Sequence, residues 1–144
     1  MSEESNSSLG GELAERLAAA LAPRAEILEA YLFGSQASGR SQPHSDIDVA
    51  VYLDEGTAVH SGFGYAAELT ADLMRSLGTN AVDLVVLNRA PPLLYHRVLR
   101  DGRRILSRDL RATTTREGYA LSRYCDYLPQ LAKIEAARRA SRAR

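Results

Sequence analysis

Two aspartates, Asp46 and Asp48, stand one residue apart at the start of a segment that reads as a strand, residues 47–53 (IDVAVYL). In a strand, residues i and i+2 face the same side. Both carboxylates therefore project together, while Ile47, Val49 and Val51 turn the other way into the core. Side-by-side carboxylates repel each other and resist burial, which makes a structural role hard to justify. A divalent cation resolves the conflict, and Mg²⁺ prefers carboxylate oxygens together with substrate phosphates. Two such ions, about 4 Å apart, clamp the attacking and leaving oxygens of an in-line phosphoryl displacement.

A third acid suits the same chemistry. Asp83 lies in residues 81–87 (AVDLVVL), where Val82, Leu84 and Val86 make one face and Asp83 begins the other. Taken alone it is equally a strand-edge acid facing solvent or an arginine. Beside Asp46 and Asp48 it completes a metal site and accepts the proton of an incoming hydroxyl.

Gly34-Ser35 closes the preceding apolar run, residues 27–33 (ILEAYLF). Glycine at a strand end lets backbone approach a ligand, and free N–H groups at a following helix start bind phosphate oxygens. The Ser35 hydroxyl adds a donor. A Gly-Ser pair after a strand is by itself only a turn, and its weight comes from its spacing to the aspartates. Ten residues separate it from Asp-x-Asp on the next strand, so a phosphate cradle and a metal site fall on neighbouring strands. Arg40, in the intervening loop, suits either a triphosphate or one of the aspartates. Ser45 reads as a local loop hydrogen-bonder and His44 as an exposed loop residue. His60 and His96 lack metal-ligand spacing. Tyr31, Phe33 and Tyr52 read as core, and Tyr119, Tyr124 and Tyr127 as packing residues of a late helix.

These groups need a scaffold. The chain has 144 residues, 45% hydrophobic and 25% charged, with zero formal net charge. That is one domain with a modest core. Residues 1–10 read as a disordered, acidic leader, neither secretory signal nor basic transit peptide. No apolar run approaches the roughly 18 residues of a membrane span. One cysteine, Cys125, excludes an internal disulfide and Cys-based metal cages, and fits a reducing cytoplasm. Zero net charge gives no support to direct nucleic-acid binding.

Leu13, Leu17 and Leu21 recur at helical spacing, and Pro23 ends that helix. Residues 27–33, 47–53 and 81–87 are strands; Asp54-Glu55-Gly56 closes the second with turn chemistry. A second helix runs from about residue 65 to 77, with Gly78 beyond its end. Pro91-Pro92 opens another, ended by Gly102, and residues 104–106 form a short last strand. From about residue 110 the chain is helical, with Pro129 as a kink or stop. Strands interleaved with helices predict an α/β (α+β) domain, a small mixed sheet flanked by helices. Its core is expected over residues 11–109, followed by a helical segment, 110–144, with a basic tail.

The segments YLFGSQASGRSQPHSDIDVAVYL and AVDLVVLNRAPPLLYHRVLRDGRRIL resemble the DNA polymerase beta-like nucleotidyltransferase superfamily, and within it the minimal nucleotidyltransferases. The resemblance covers residues 11–127 and implies the nucleotidyltransferase fold. It implies ATP phosphates on Gly34 and Ser35, Mg²⁺ on Asp46 and Asp48, and Asp83 as third catalytic acid. Members of that subfamily are commonly antitoxins paired with HEPN-domain ribonuclease toxins. The reaction implied is transfer of AMP from ATP to a tyrosine of the toxin. Two alternatives stand beside it: an antitoxin that neutralises by binding alone, and an aminoglycoside-type small-molecule nucleotidyltransferase. The intact Gly-Ser and three carboxylates favour catalysis over mere binding. The roughly 60 residues after Asp83 leave little room for the extra helices that grip a sugar.

Overall fold

The two apolar segments on either side of the Gly-Ser loop pair with each other. In the computed structural model, which describes residues 2–34 and 46–143, they form strands β1 (Ile27–Phe33) and β2 (Ile47–Leu53). The pair is antiparallel, with Phe33 opposite Asp48 and Tyr31 opposite Ala50. β3 (Val82–Val86) joins β2 in parallel, and β4 (Arg103–Ser107) joins β1 antiparallel. The order β3-β2-β1-β4 makes a mixed sheet. A parallel pair needs a crossover connection, and helix α2 (Glu55–Leu77) provides it between β2 and β3.

Helices cover both faces. Helix α1 (Ser2–Leu21) and α2 lie on the face carrying Ala30, Leu32, Ile47, Val49 and Val51, where Leu17, Leu21, Leu69 and Leu73 complete the core. The opposite face carries Tyr31, Phe33, Ala50, Tyr52 and Val85. It is packed by α3 (Pro92–Asp101) through Tyr95 and Val98 and by α4 (Leu110–Arg142) through Ala120. His96 of α3 stacks on Tyr124 of α4, ring centroids 3.6 Å apart. A single 3₁₀ turn, Leu87–Arg89, leads from β3 towards α3. Its Asn88 amide extends the ladder at the end of β2, accepting from Leu53 N–H and donating to Leu53 C=O, both at 2.8 Å.

α4 is fastened at its start by a buried charge. Glu29 of β1 is fully buried beneath it, accepting from Thr113 Oγ1 at 3.0 Å and from Arg116 Nε at 2.8 Å. Arg116 in turn lies over the Tyr52 ring, 5.0 Å from its centroid. Tyr31 donates to Glu117 at 2.7 Å, and Arg104 pairs with the same carboxylate. Where β4 meets α4, Arg108 spans the α1–β1 connection, donating to the carbonyls of Ala22, Arg24 and Ile27 at 2.7, 3.0 and 3.1 Å. A cation at a helix C-terminus answers carbonyls that have no intrahelical partner.

Several boundaries differ from the sequence-based expectation. α1 starts at Ser2, so residues 2–10, expected as a disordered leader, carry helical backbone. The packed turns around Leu17 and Leu21 nucleate a helix, and adding residues to an existing helix needs little further stabilisation. α2 starts at Glu55 rather than near 65: Asp54-Glu55-Gly56, expected as a closing turn, is its entry, with Asp54 C=O accepting from Ala58 N–H at 2.9 Å. Glycines at 56, 62 and 64 mask that helix in the sequence. α4 passes through Pro129 without stopping. Tyr119, expected to pack, is 70% exposed. Gly78 ends α2 as expected, in the left-handed region with φ 69° and its N–H on Met74 C=O. No helix among the described residues is long and apolar enough to cross a membrane.

Candidate active site

The site lies where β1 ends and β2 and β3 begin. Because β2 and β3 are parallel and in register, Asp48 sits directly beside Asp83, and Ile47 beside Val82. In-register neighbours share a face, so both carboxylates stand on the side of Ala50 and Val85, away from Val49 and Leu84. Asp46 stands at the mouth of the same edge, exposed, just before β2. The three acids expected from the sequence are thus brought to one corner of the sheet. Asp48 is half-buried and Asp83 exposed.

Asp48 bears the strain of this arrangement. Burial, then the charges of Asp83 and Asp46, push its carboxyl above the ordinary carboxylate range. Both charged neighbours that act on it carry its own sign. Gly34 closes over the same side chain. Its φ is +76°, and a Cβ placed on it would collide with the Asp48 carboxylate, 3.1 Å from Cγ and 3.4 Å from Cβ. A glycine is therefore required twice here: for the left-handed backbone and for the close approach to Asp48. Replacing it, Gly34→Ala, is expected to cost about 1–2 kcal/mol of stability from the backbone alone. It also drives Asp48 off its position. Thermal unfolding and a nucleotidyl-transfer assay on the variant check the two effects separately.

Ser35 and Arg40, expected to hold phosphates, lie outside the described residues, as do His44 and Ser45. Among the described residues, no three acids, histidines or cysteines form a ready-made metal cage. Asp48 and Asp83 supply an adjacent pair, with Asp46 beside them. That donor set suits Mg²⁺, which takes one or two carboxylates plus water and phosphate oxygens rather than a complete protein cage. Like-charged carboxylates with one of them partly buried are also what a cation relieves.

The Glu29 network, which positions α4 over the same sheet face, was not among the residues singled out by sequence. The signal was present: Glu29 is the one charged residue in ILEAYLF, at the alternation step of Tyr31 and Phe33. Its partner, 87 residues away, was not visible.

Comparison with known proteins agrees with this fold. A search of curated proteins finds no match. Among solved structures, a chain of a toxin–antitoxin complex with AMP-PNP superposes with a TM-score of 0.68 at 24% identity, covering 89% of this chain and 97% of that one. A chain of the MntA-HepT toxin–antitoxin gives 0.62 at 22% identity, covering 89% and 95%. A structure of tri-AMPylated Shewanella oneidensis HEPN toxin in complex with MNT antitoxin gives 0.59 at 21% identity, covering 94% and 98%. These are likenesses of fold. The family described as "Polymerase beta, Nucleotidyltransferase" matches residues 15–111, from within α1 to the first turn of α4 and across all three acids. The chain belongs to the polymerase beta nucleotidyltransferase family.

Proposed function

We propose that this protein is the antitoxin of a two-protein module and transfers AMP from ATP to a tyrosine of a HEPN-domain ribonuclease toxin. The observation that carries the transfer is the in-register pairing of Asp48 with Asp83 on one sheet face, under Gly34. The partner and the nucleotide are supported by fold likeness to chains of toxin–antitoxin complexes, one with AMP-PNP and one with a tri-AMPylated toxin.

In this proposal Asp46 and Asp48 would hold Mg²⁺, with Asp83 completing the site. When bound, the metal supplies positive charge that offsets the triphosphate as the α-phosphorus is attacked. Backbone N–H groups at Gly34 and Ser35 hold phosphate oxygens, with Arg40 a further cation for them. Asp83 takes the proton of the incoming tyrosine hydroxyl. A tyrosine O–P bond forms, the bond between the α and β phosphates breaks, and pyrophosphate leaves. Holding the reactants in line and meeting the developing charge supply most of the rate. The adenylate adds negative charge and bulk to the toxin, which opposes RNA binding there.

Incubating the toxin with this protein, ATP and Mg²⁺ and then taking the toxin's intact mass tests the proposal. The expected result is a gain of whole AMP units that a tyrosine-to-phenylalanine toxin lacks. Inhibition of the toxin without any gain in mass would instead assign neutralisation to binding.

A further inference from the structure

The sheet ends in two edge strands of different character. β4 carries Arg103 and Arg104, lies against α1, and is tied to α4 by the pairing of Arg104 with Glu117. Charge and cover of this kind blunt an edge against further pairing. β3 (VDLVV) has no arginine, lysine or proline, and pairs with β2 without a bulge. Leu84, Val85 and Val86 are only half-buried, and the one charge on the strand, Asp83, belongs to the candidate active site.

The hydrogen bonding of β3 fixes which of its backbone groups are spare. Ala81 C=O accepts from Ile47 N–H of β2 at 2.7 Å. Along a strand, successive residues turn their N–H and C=O to opposite sides. Ala81, Asp83 and Val85 therefore bond to β2, while Val82 and Leu84 turn theirs to the open edge. No described residue answers those outward groups. They flank Asp83, whose side chain stands on the site face with Asp48 and Val85.

Outward N–H and C=O groups on an apolar edge are matched by another extended main chain. A second copy of this chain is a poor occupant. Pairing β3 with β3 about a two-fold axis would set two acidic corners side by side, where like charges repel. An acceptor polypeptide suits the edge better, because its hydroxyl must reach Asp83 in any case. In antiparallel addition, Val82 and Leu84 exchange hydrogen bonds with the incoming chain. The residue opposite Asp83 is then the closer, non-hydrogen-bonded kind, with Cα atoms about 4.5 Å apart. Opposed residues share a face, so that side chain rises beside the carboxylates and its two neighbours point away.

We propose that the open edge of β3 docks the acceptor protein, which adds an extended segment as an antiparallel fifth strand with its tyrosine opposite Asp83. The inference rests on the adenylyl-transfer reading and adds to it where the acceptor chain lies. Main-chain bonds to Val82 and Leu84 hold the segment whatever its sequence, and the two-residue period decides which side chain meets the site.

Amide hydrogen exchange, read residue by residue by NMR on the full chain, tests this. In the free protein Val82 and Leu84 are expected to exchange fast, and Asp83 and Val85 slowly. Toxin whose acceptor tyrosine is changed to phenylalanine binds without turnover. Adding it is expected to slow Val82 and Leu84 by about tenfold or more and to leave β4 unchanged. Leu84→Pro removes an outward N–H and none from the β2 ladder. It is expected to raise KM for the toxin about tenfold while binding of ATP with Mg²⁺ is retained. The exchange measurement needs no variant, so it decides the matter even where Leu84→Pro fails to fold. Toxin that binds and gains AMP, with exchange at Val82 and Leu84 unchanged, overturns the docking site and leaves the transfer reading intact. Absence of both binding and mass gain overturns the transfer reading and the docking site with it. Slowing in the free chain that grows with its concentration would assign the edge to a second copy instead.

Discussion

Asp48→Asn is expected to lose adenylyl transfer and, in the same protein, to raise the melting temperature of the metal-free chain. The two effects have one cause. Asp48 is half-buried directly beside Asp83, with Asp46 next along the edge, and its carboxyl is pushed up by burial first and by those charges second. An amide of the same shape removes the charge and keeps the packing. Relief of one like-charge neighbour contact is worth about 0.5–1 kcal/mol, on the order of 2 °C for a domain of this size. Loss of a ligand and of the charge it contributes is expected to lower transfer at least a hundredfold. The pH dependence comes from the direction of the shift. A carboxyl whose folded value is raised favours folding most when protonated, below its ordinary value of 3.8, and loses that contribution as pH rises through its folded value. The gap in melting temperature between Asp48→Asn and the unmodified protein should therefore be small in acid and widen towards neutrality. Differential scanning fluorimetry across pH, in EDTA, measures it. A variant less stable than the parent at neutral pH would make Asp48 a structural residue.

Arg116→Ala is expected to destabilise the fold by about 3 kcal/mol, a large share of a domain's stability. Glu29 is fully buried, and Arg116 supplies two of its hydrogen bonds, at 2.8 and 2.6 Å. Without the guanidinium, Thr113 Oγ1 alone faces a carboxylate that water cannot reach. Breaking a buried pair leaves an uncompensated charge, whereas replacing both members with neutral groups of similar volume is often tolerated. The double variant Glu29→Gln, Arg116→Met is accordingly expected to recover most of the loss. Urea unfolding followed by circular dichroism gives both numbers. Equal loss in the single and double variants would mean that packing of the Arg116 stem, and not its charge, holds α4 down.

The sequence disclosed the parts of this molecule that rest on local patterns. Alternation placed β1, β2 and β3 to within a residue, and the two-residue period put Asp46 and Asp48 on one side before any pairing was known. Gly78 and Gly102 marked helix ends because backbone chemistry at a helix terminus is local. What stayed hidden was non-local. Glu29 and Arg116 read as an odd acid in a strand and one of many arginines, because only the docking of α4 makes them a pair. The early start of α2 was hidden by glycines that tertiary packing overrides.

Parallel pairing of β2 with β3 also sets when the chain becomes competent. Asp48 and Asp83 become neighbours only after α2 has folded between their strands and β3 has docked in register. Contacts closed over such a span form late, since the entropy of the loop is lost before the pairing rewards it. A one-residue slip in that register would also turn Asp83 to the opposite face. Competence is therefore an all-or-none property of the finished topology: a nascent or partly folded chain carries Gly34, Asp46 and Asp48 on its first hairpin but lacks Asp83 beside them.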